Sequence, residues 1–104
     1  MQNTVMSPIR YVDYWDVPRV FIAADSAGTY LLECRFDDQL DEYPDFYEVF
    51  AMPALDDELL SRPWADLSHH ALGRLGRVLV SEIRFDASRR KEVDLDALRQ
   101  SLRQ

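Results

Sequence analysis

The chain has 104 residues, the length of a single domain, and no membrane-length apolar stretch of about 18 residues or more. Hydrophobic residues make up 47% and aromatic residues 12% of it, which excludes an intrinsically disordered chain. The net charge is −7, with 13 acidic and 2 basic residues in 11–58 but 6 acidic and 9 basic residues in 59–104. Such a first half repels nucleic acid and attracts a basic protein surface.

The cysteine content and the N-terminus indicate a compartment. A single cysteine, Cys34, allows no intramolecular disulfide and favours a reducing environment. The first ten residues lack the basic and apolar regions of a signal peptide. We therefore expect a cytoplasmic protein with no membrane contact, folded as one domain over residues 1–104, in which residues 1–8 form a flexible lead-in.

The N-terminal half predicts an antiparallel meander. Its four strand-like stretches are residues 9–15, 19–24, 29–36 and 46–52. The third stretch alternates, with Tyr30, Leu32, Cys34 and Phe36 on the inward side. Such alternation indicates a sheet with one buried face and one mostly wet face. The turn before it holds Asp25, which can bond its own backbone, and Gly28, which can adopt a positive φ, so we expect a tight hairpin there.

The C-terminal half predicts helices. Segments 54–60, 64–72 and 95–103 have apolar residues at helical spacing. Asp94 is placed to cap the last helix, and Val93 with Leu98 forms a hydrophobic staple.

Residues 77–86 alternate and predict a fifth strand, although the 64–72 helix extended to about residue 80 is the alternative. The predicted fold is α+β, an antiparallel sheet of four or five strands with two or three helices packed on one face.

A short motif lies within residues 14–31. It consists of an aromatic–Asp–x–Pro–x–x–Phe segment followed by Gly–x–Tyr, here Trp15, Asp16, Pro18, Phe21, Gly28 and Tyr30. This stretch resembles a family of small uncharacterised bacterial α+β proteins, with a departure at Arg19, where an apolar residue is expected. The resemblance implies a hairpin of that family's kind, and it transfers no catalytic residue because the family has no established activity.

The sequence offers little for metal or covalent chemistry. The only histidines, His69 and His70, are adjacent, and neighbours on a helix point about 100° apart, which disfavours a shared metal. The acidic stretch 37–45 lacks the central glycine and the ligand spacing of a calcium loop. The chain contains no G-x-S-x-G, P-loop or dinucleotide-binding motif. We therefore predict no catalytic residue, no metal and no cofactor.

Three carboxylates support the alternative of a small enzyme or ligand-binding domain. Glu48 shares its predicted strand face with Phe46 and Phe50, so it is either a buried carboxylate available as a base or a charge that protects an edge strand. Asp13 and Asp16, beside the aromatic first strand, are the other candidates. In this alternative Glu48 or Asp16 acts as the base.

The C-terminal half carries a group of basic residues. They are Arg84, Arg89, Arg90, Lys91, Arg99 and Arg103. Acidic residues are interleaved among them, and mixed signs cancel the field that a polyanion requires, so a solvated surface is the prediction. Pairing of this group with the acidic loop of a second copy is a further alternative and gives a homodimer.

The leading hypothesis is a non-catalytic, acidic protein-interaction module. Its predicted partner-binding residues are Asp37, Asp38, Asp41, Glu42, Tyr43, Asp45 and Tyr47. Carboxylates beside aromatic anchors suit an interface with a basic protein surface. In its sharpest form the protein is an inhibitor that occupies a nucleic-acid-binding surface, as phage-type anti-defence or immunity-like proteins do by placing carboxylates where phosphates would sit.

Overall fold

A computed structural model of the chain describes residues 7–14, 17–55, 57–61, 63–86 and 92–102. The strands are β1 (Ser7–Tyr14), β2 (Pro18–Asp25), β3 (Gly28–Glu33), β4 (Phe46–Met52), β5 (Gly73–Leu79) and β6 (Glu92–Val93). The α-helical elements are the single turn α1 (Asp57–Leu60) and α2 (Leu95–Ser101). Two 3₁₀ segments are Trp64–His70 and Val80–Glu82.

The described strands form one antiparallel sheet in the order β5-β4-β3-β2-β1-β6. Strands β1 to β4 pair in sequence order, which is the meander that the alternation predicts. The short β6 pairs with Ser7 and Pro8 at the start of β1. These two residues therefore belong to a strand, whereas residues 1–6 of the predicted flexible lead-in lie outside the described residues.

The predicted fold class is wrong. The described sheet has six strands rather than four or five, and the two or three helices on one face are replaced by α1, α2 and the two 3₁₀ segments. The segment after Pro63 has helical spacing, yet it forms a 3₁₀ segment that ends at His70. The helix does not continue to residue 80, and the predicted 77–86 strand is instead β5 followed by a 3₁₀ turn.

Both faces of the sheet are covered, which corrects the expectation of one wet face. The first face holds the larger core, which includes Phe21, Leu32, Cys34, Tyr47, Val49 and Val78, and it packs against α2. The second face holds Val20, Ile22, Leu31 and Met52, and it packs against Leu67 and the segment around α1. The adjacent residues Leu31 and Leu32 are therefore both fully buried, one on each face.

The hairpin between β2 and β3 is confirmed, with Asp25 opposite Gly28 across a two-residue turn. The Asp25 Oδ1 atom accepts a hydrogen bond from the backbone N–H of Ala27 at 2.8 Å, as the Asx-turn prediction requires. Gly28 does not adopt a positive φ, so that part of the prediction is wrong. The turn is therefore stabilised by the aspartate.

A β-bulge interrupts the pairing of β4 with β5. Val49 lies opposite Gly76 and Phe50 opposite Arg74, so Leu75 is an extra residue on β5. Gly76 has φ of 139°, a conformation that favours glycine. Because of the extra residue, Arg74 and Arg77 lie on the same face, although three positions separate them. Both reach Glu48 there.

The start of α2 follows the predicted capping pattern. The Asp94 Oδ1 atom accepts a hydrogen bond from the backbone N–H of Ala97 at 3.1 Å. Val93 and Leu98 are both buried in the first-face core, where a hydrophobic staple would place them. These contacts fix α2 over the first face of the sheet.

Candidate functional site

The acidic loop, residues 37–45, is an ordered turn between β3 and β4. Asp37 and Glu42 exchange backbone hydrogen bonds, with N···O distances of 2.8 and 3.3 Å. The Asp37 Oδ1 atom also accepts from the backbone N–H groups of Gln39 and Leu40, at 2.9 and 3.2 Å. Asp41 has φ of 57°, a conformation that aspartate tolerates better than most residues. The side chain of Asp37 therefore has a role inside the loop.

An aromatic and cationic cluster supports the base of the acidic loop. The guanidinium carbon of buried Arg19 lies 4.3 Å from the ring centroid of Tyr43, and the Phe36 ring meets Tyr43 edge to face at 5.2 Å. Arg19 Nη1 also donates to Cys34 Sγ at 3.2 Å, and that thiol lies 3.2 Å from the carbonyl oxygen of Pro44. Arg19 therefore connects β2 to the acidic loop.

Exposed apolar and acidic groups lie side by side on the acidic loop. Leu40 is 66% exposed and Phe36, just before the loop, is 44% exposed. The carboxylates of Asp38, Asp41, Glu42 and Asp45 are also exposed. Within the described part of the chain, none of the five loop carboxylates forms an ion pair.

Several other carboxylates of the described chain are paired with arginine. The pairs are Asp25–Arg99, Glu33–Arg35, Glu48–Arg74, Glu48–Arg77, Asp57–Arg10 and Asp96–Arg99. The acidic loop therefore retains a negative potential that its own chain does not neutralise, and this distinguishes it from the rest of the acidic first half.

Tyr47 is not an anchor for a partner, which corrects the prediction. Its side chain is fully buried in the first-face core, and its hydroxyl donates to the carbonyl oxygen of Pro18 at 2.7 Å. The ring also packs edge to face on Phe21 at 5.3 Å. Tyr43 is partly buried, with the Arg19 guanidinium over its ring and Phe36 edge to face against it, so it packs at the base of the acidic loop.

Both predicted environments of Glu48, a buried carboxylate and an edge-strand charge, are wrong. β4 lies between β3 and β5, so Glu48 is not on an edge strand. Its carboxylate is bound by Arg74 Nε at 2.6 Å and by Arg77 Nη2 at 3.5 Å, and its side chain is 31% exposed. It is therefore neither a buried free carboxylate nor an edge charge. The side chains of the other two candidates, Asp13 and Asp16, lie outside the described residues.

The remaining predicted groups form no site among the residues that the structure describes. His69 and His70 are both exposed on the 3₁₀ segment. Among the described residues, no group of three or more histidine, cysteine or acidic side chains is placed to hold a metal ion. Of the predicted basic group, Arg89, Arg90, Lys91 and Arg103 lie outside the described residues, and Arg99 is bound to Asp25.

Phe36 and Leu40 are the site residues that the sequence prediction missed. The alternation of β3 was extended to Phe36, which placed that ring inward, but the strand ends at Glu33 and the ring is partly exposed. Leu40 carried a usable signal, because it is a single apolar residue between acidic ones in a loop. Leu40 is a candidate contact residue because it shares one segment with the exposed Phe36 ring and four exposed carboxylates.

The fold and the acidic loop define a class, a small sheet-dominated protein with a structured, negatively charged loop at one end of the sheet. Comparison with family models, curated proteins and solved structures finds no match. The resemblance of residues 14–31 to a bacterial family therefore stays a prediction. No helix among the described residues is both long enough and apolar enough to cross a membrane.

Proposed function

We propose that the protein is a non-catalytic interaction module that binds a basic protein surface through the acidic loop. One observation carries the proposal, the set of five loop carboxylates without an ion pair in the described chain around the exposed side chain of Leu40. Leucine supplies a desolvated contact, and the carboxylates supply charge complementarity and a faster encounter. Phe36 takes the role that was predicted for Tyr47.

Rigidity of the acidic loop also supports this function. The backbone pairing of Asp37 with Glu42 and the Asx contacts to Gln39 and Leu40 hold the turn before a partner arrives. A pre-ordered loop loses less conformational entropy on binding than a flexible one. The partner therefore meets a loop whose backbone conformation is already formed.

The test is a triple substitution at the exposed end of the acidic loop, D38N/D41N/E42Q. Asp37 is left intact because it holds the turn, and asparagine tolerates the positive φ of Asp41. Immobilised wild-type and variant proteins are exposed to an extract of the native cells, and the retained proteins are quantified at low and high salt. We expect the variant to bind the captured partner roughly tenfold or more weakly, with a flatter salt dependence.

A matched control separates the acidic loop from net charge. The variant D57N/D66N/D96N also removes three negative charges, but from exposed positions outside the acidic loop, and it should capture the partner as the wild type does. Equal loss of capture in both variants, or equal retention in both, contradicts a function of the loop itself.

In its finer form the proposal is that the bound surface is one that otherwise holds nucleic acid. Loop carboxylates would then occupy positions of phosphate groups on the partner. If so, the captured partner binds DNA or RNA, and wild-type protein displaces that nucleic acid in a competition assay, whereas D38N/D41N/E42Q does not. Simultaneous binding of protein and nucleic acid to the partner rules out this form.

A further inference from the structure

The second face of the sheet is open at one end. Leu67, together with Leu55, Leu60, Trp64 and Ala71, packs against Val20, Ile22 and Leu31, and this cluster includes no residue from the end where β3 meets the acidic loop. An open groove of about 450 Å³ lies there. Its apolar walls are Phe36, Pro44 and Phe46. Within the described residues, this groove is an uncovered part of the second face.

The charges that line this groove are unequal. Four carboxylates, those of Glu33, Asp37, Asp38 and Glu48, face a single guanidinium, that of Arg35. Arg35 Nη2 is already bound to Glu33 and, at 3.1 Å, to the carbonyl oxygen of Trp64. Glu48 is bound by two arginines, so the uncompensated charge lies at Asp37 and Asp38. The groove is therefore negative at the end nearest the acidic loop.

The aromatic rings beside this charge already attract cations within the chain. The guanidinium carbon of Arg77 lies 4.2 Å from the centroid of Phe46, and that of Arg19 lies 4.3 Å from Tyr43, which in turn packs on Phe36. A planar guanidinium stacks on an aromatic ring and also forms paired hydrogen bonds with a carboxylate. The groove thus combines the two features that a guanidinium recognises.

We propose that this groove receives an arginine side chain of the protein partner, with its guanidinium stacked on Phe36 and paired with the carboxylate of Asp38. This inference rests on the proposed function, because the groove borders the acidic loop and belongs to the same surface. It specifies what the surface recognises on the basic partner. One arginine side chain enters the groove, in addition to the general electrostatic attraction of the acidic loop.

The test uses N-acetyl-arginine amide as the probe, titrated into ¹⁵N-labelled protein and followed by NMR. We expect saturable shifts of the amides of Phe36, Asp38 and Phe46. N-acetyl-citrulline amide, which has nearly the same shape without the charge, should give none, and N-acetyl-lysine amide should bind more weakly. The variant F36L should weaken arginine binding roughly two- to fivefold, about the effect of one exposed cation–π contact.

The control variant is L72A, which removes an exposed apolar side chain that does not line the groove, and it should leave arginine binding unchanged. Non-saturating shifts spread over Asp41, Asp45 and distant acids, or equal binding of lysine, would overturn the inference. If the localised arginine-induced shifts are absent and D38N/D41N/E42Q still fails to capture the partner, the inference about the groove is wrong and the proposed function stands. Conversely, saturable arginine binding with unchanged capture by that variant refutes partner binding through the acidic loop, while the groove remains an arginine site.

Discussion

Arg99 connects the C-terminal helix to the first hairpin through one carboxylate and one ring. Its Nη2 atom lies 2.7 Å from each carboxylate oxygen of Asp25, and its Nε donates to the Tyr30 hydroxyl at 3.0 Å. Hydrogen bonds from Arg99 hold the pKa of Asp25 below its ordinary value of 3.8. This contact joins α2 to the β2–β3 turn, residues that are 74 positions apart.

The pH dependence of stability follows from that pKa shift. Because the pKa of Asp25 is lower in the folded chain than in the unfolded chain, the stabilisation is complete above about pH 4 and is lost as pH falls through the folded pKa. We expect D25N to lower the free energy of unfolding at pH 7 by up to about 1 kcal/mol, since the pair is partly exposed. Urea denaturation of both proteins from pH 7 down to pH 2 measures the difference.

The matched control for this prediction is D96N, which removes the second carboxylate bound to Arg99, at 3.2 Å and far more exposed. Its loss of stability should be the smaller of the two. A gap between wild type and D25N that stays constant down to pH 2 would contradict the assigned role of the Asp25 carboxylate.

At the level of single residues, the sequence predicts local hydrogen-bonding roles better than it predicts burial and long-range contacts. The capping role of Asp94 and the Asx turn of Asp25 are local, so the residue type and its neighbours determine them. The burial of Tyr47 depends on contacts with Pro18 and Phe21, which are distant in sequence. The same holds for Arg19, whose partners Cys34 and Tyr43 lie on other elements. Such long-range contacts leave no local pattern.

Among the elements, α2 depends most clearly on one side chain. It has seven residues, too few for a stable isolated helix, so its cap and its buried face must hold it. We expect D94A to destabilise the protein by about 1 kcal/mol, because it removes the hydrogen bond to the Ala97 N–H. D94N retains an acceptor oxygen and should lose much less. Guanidinium chloride denaturation followed by far-UV circular dichroism measures both, and equal stability of D94A and wild type would contradict the capping role.

Periodicity predicted the strands more reliably than the helices. The stretch 46–52 coincides with β4, and the stretch 19–24 matches β2 to within one residue at each end. The stretch 29–36 begins one residue after the start of β3 and ends three residues beyond its end. The segment 64–72 has apolar residues at helical spacing but forms a 3₁₀ segment, and the strand predicted over 77–86 instead runs over Gly73–Leu79, where Gly76 allows a bulge. A bulge also breaks the alternation by which a strand is recognised.

The whole molecule is organised around the two central strands, β2 and β3. Each has a strand on both sides, and each has a core packed on both faces. We expect their amides, for example those of Ile22, Leu31 and Leu32, to exchange with deuterium most slowly. The two-residue β6 should exchange much faster. Hydrogen exchange followed by NMR measures the order, and slowest exchange in β6 would contradict this account of the core.

The covering of the second face was the main feature that the sequence did not predict. Alternation in β3 indicated one wet face, and Leu31 was the available contrary sign because it occupies the supposedly wet side. Whether a segment such as 54–72 folds back over a sheet depends on tertiary packing, which a single-strand pattern does not encode. For the same reason the groove beside Phe46 was not predicted, since it is the space that this segment leaves open.

The bulge at Gly76 has a consequence for the behaviour of the protein in a crowded solution. β5 is the seven-residue strand at the end of the sheet, and a straight strand there would offer a template for amyloid-like growth. The bulge distorts the backbone of that strand, and the arginines at positions 74 and 77 add like charges that repel a second β5. The bulge that places both arginines on the side of Glu48 therefore also disfavours self-propagating aggregation of the molecule.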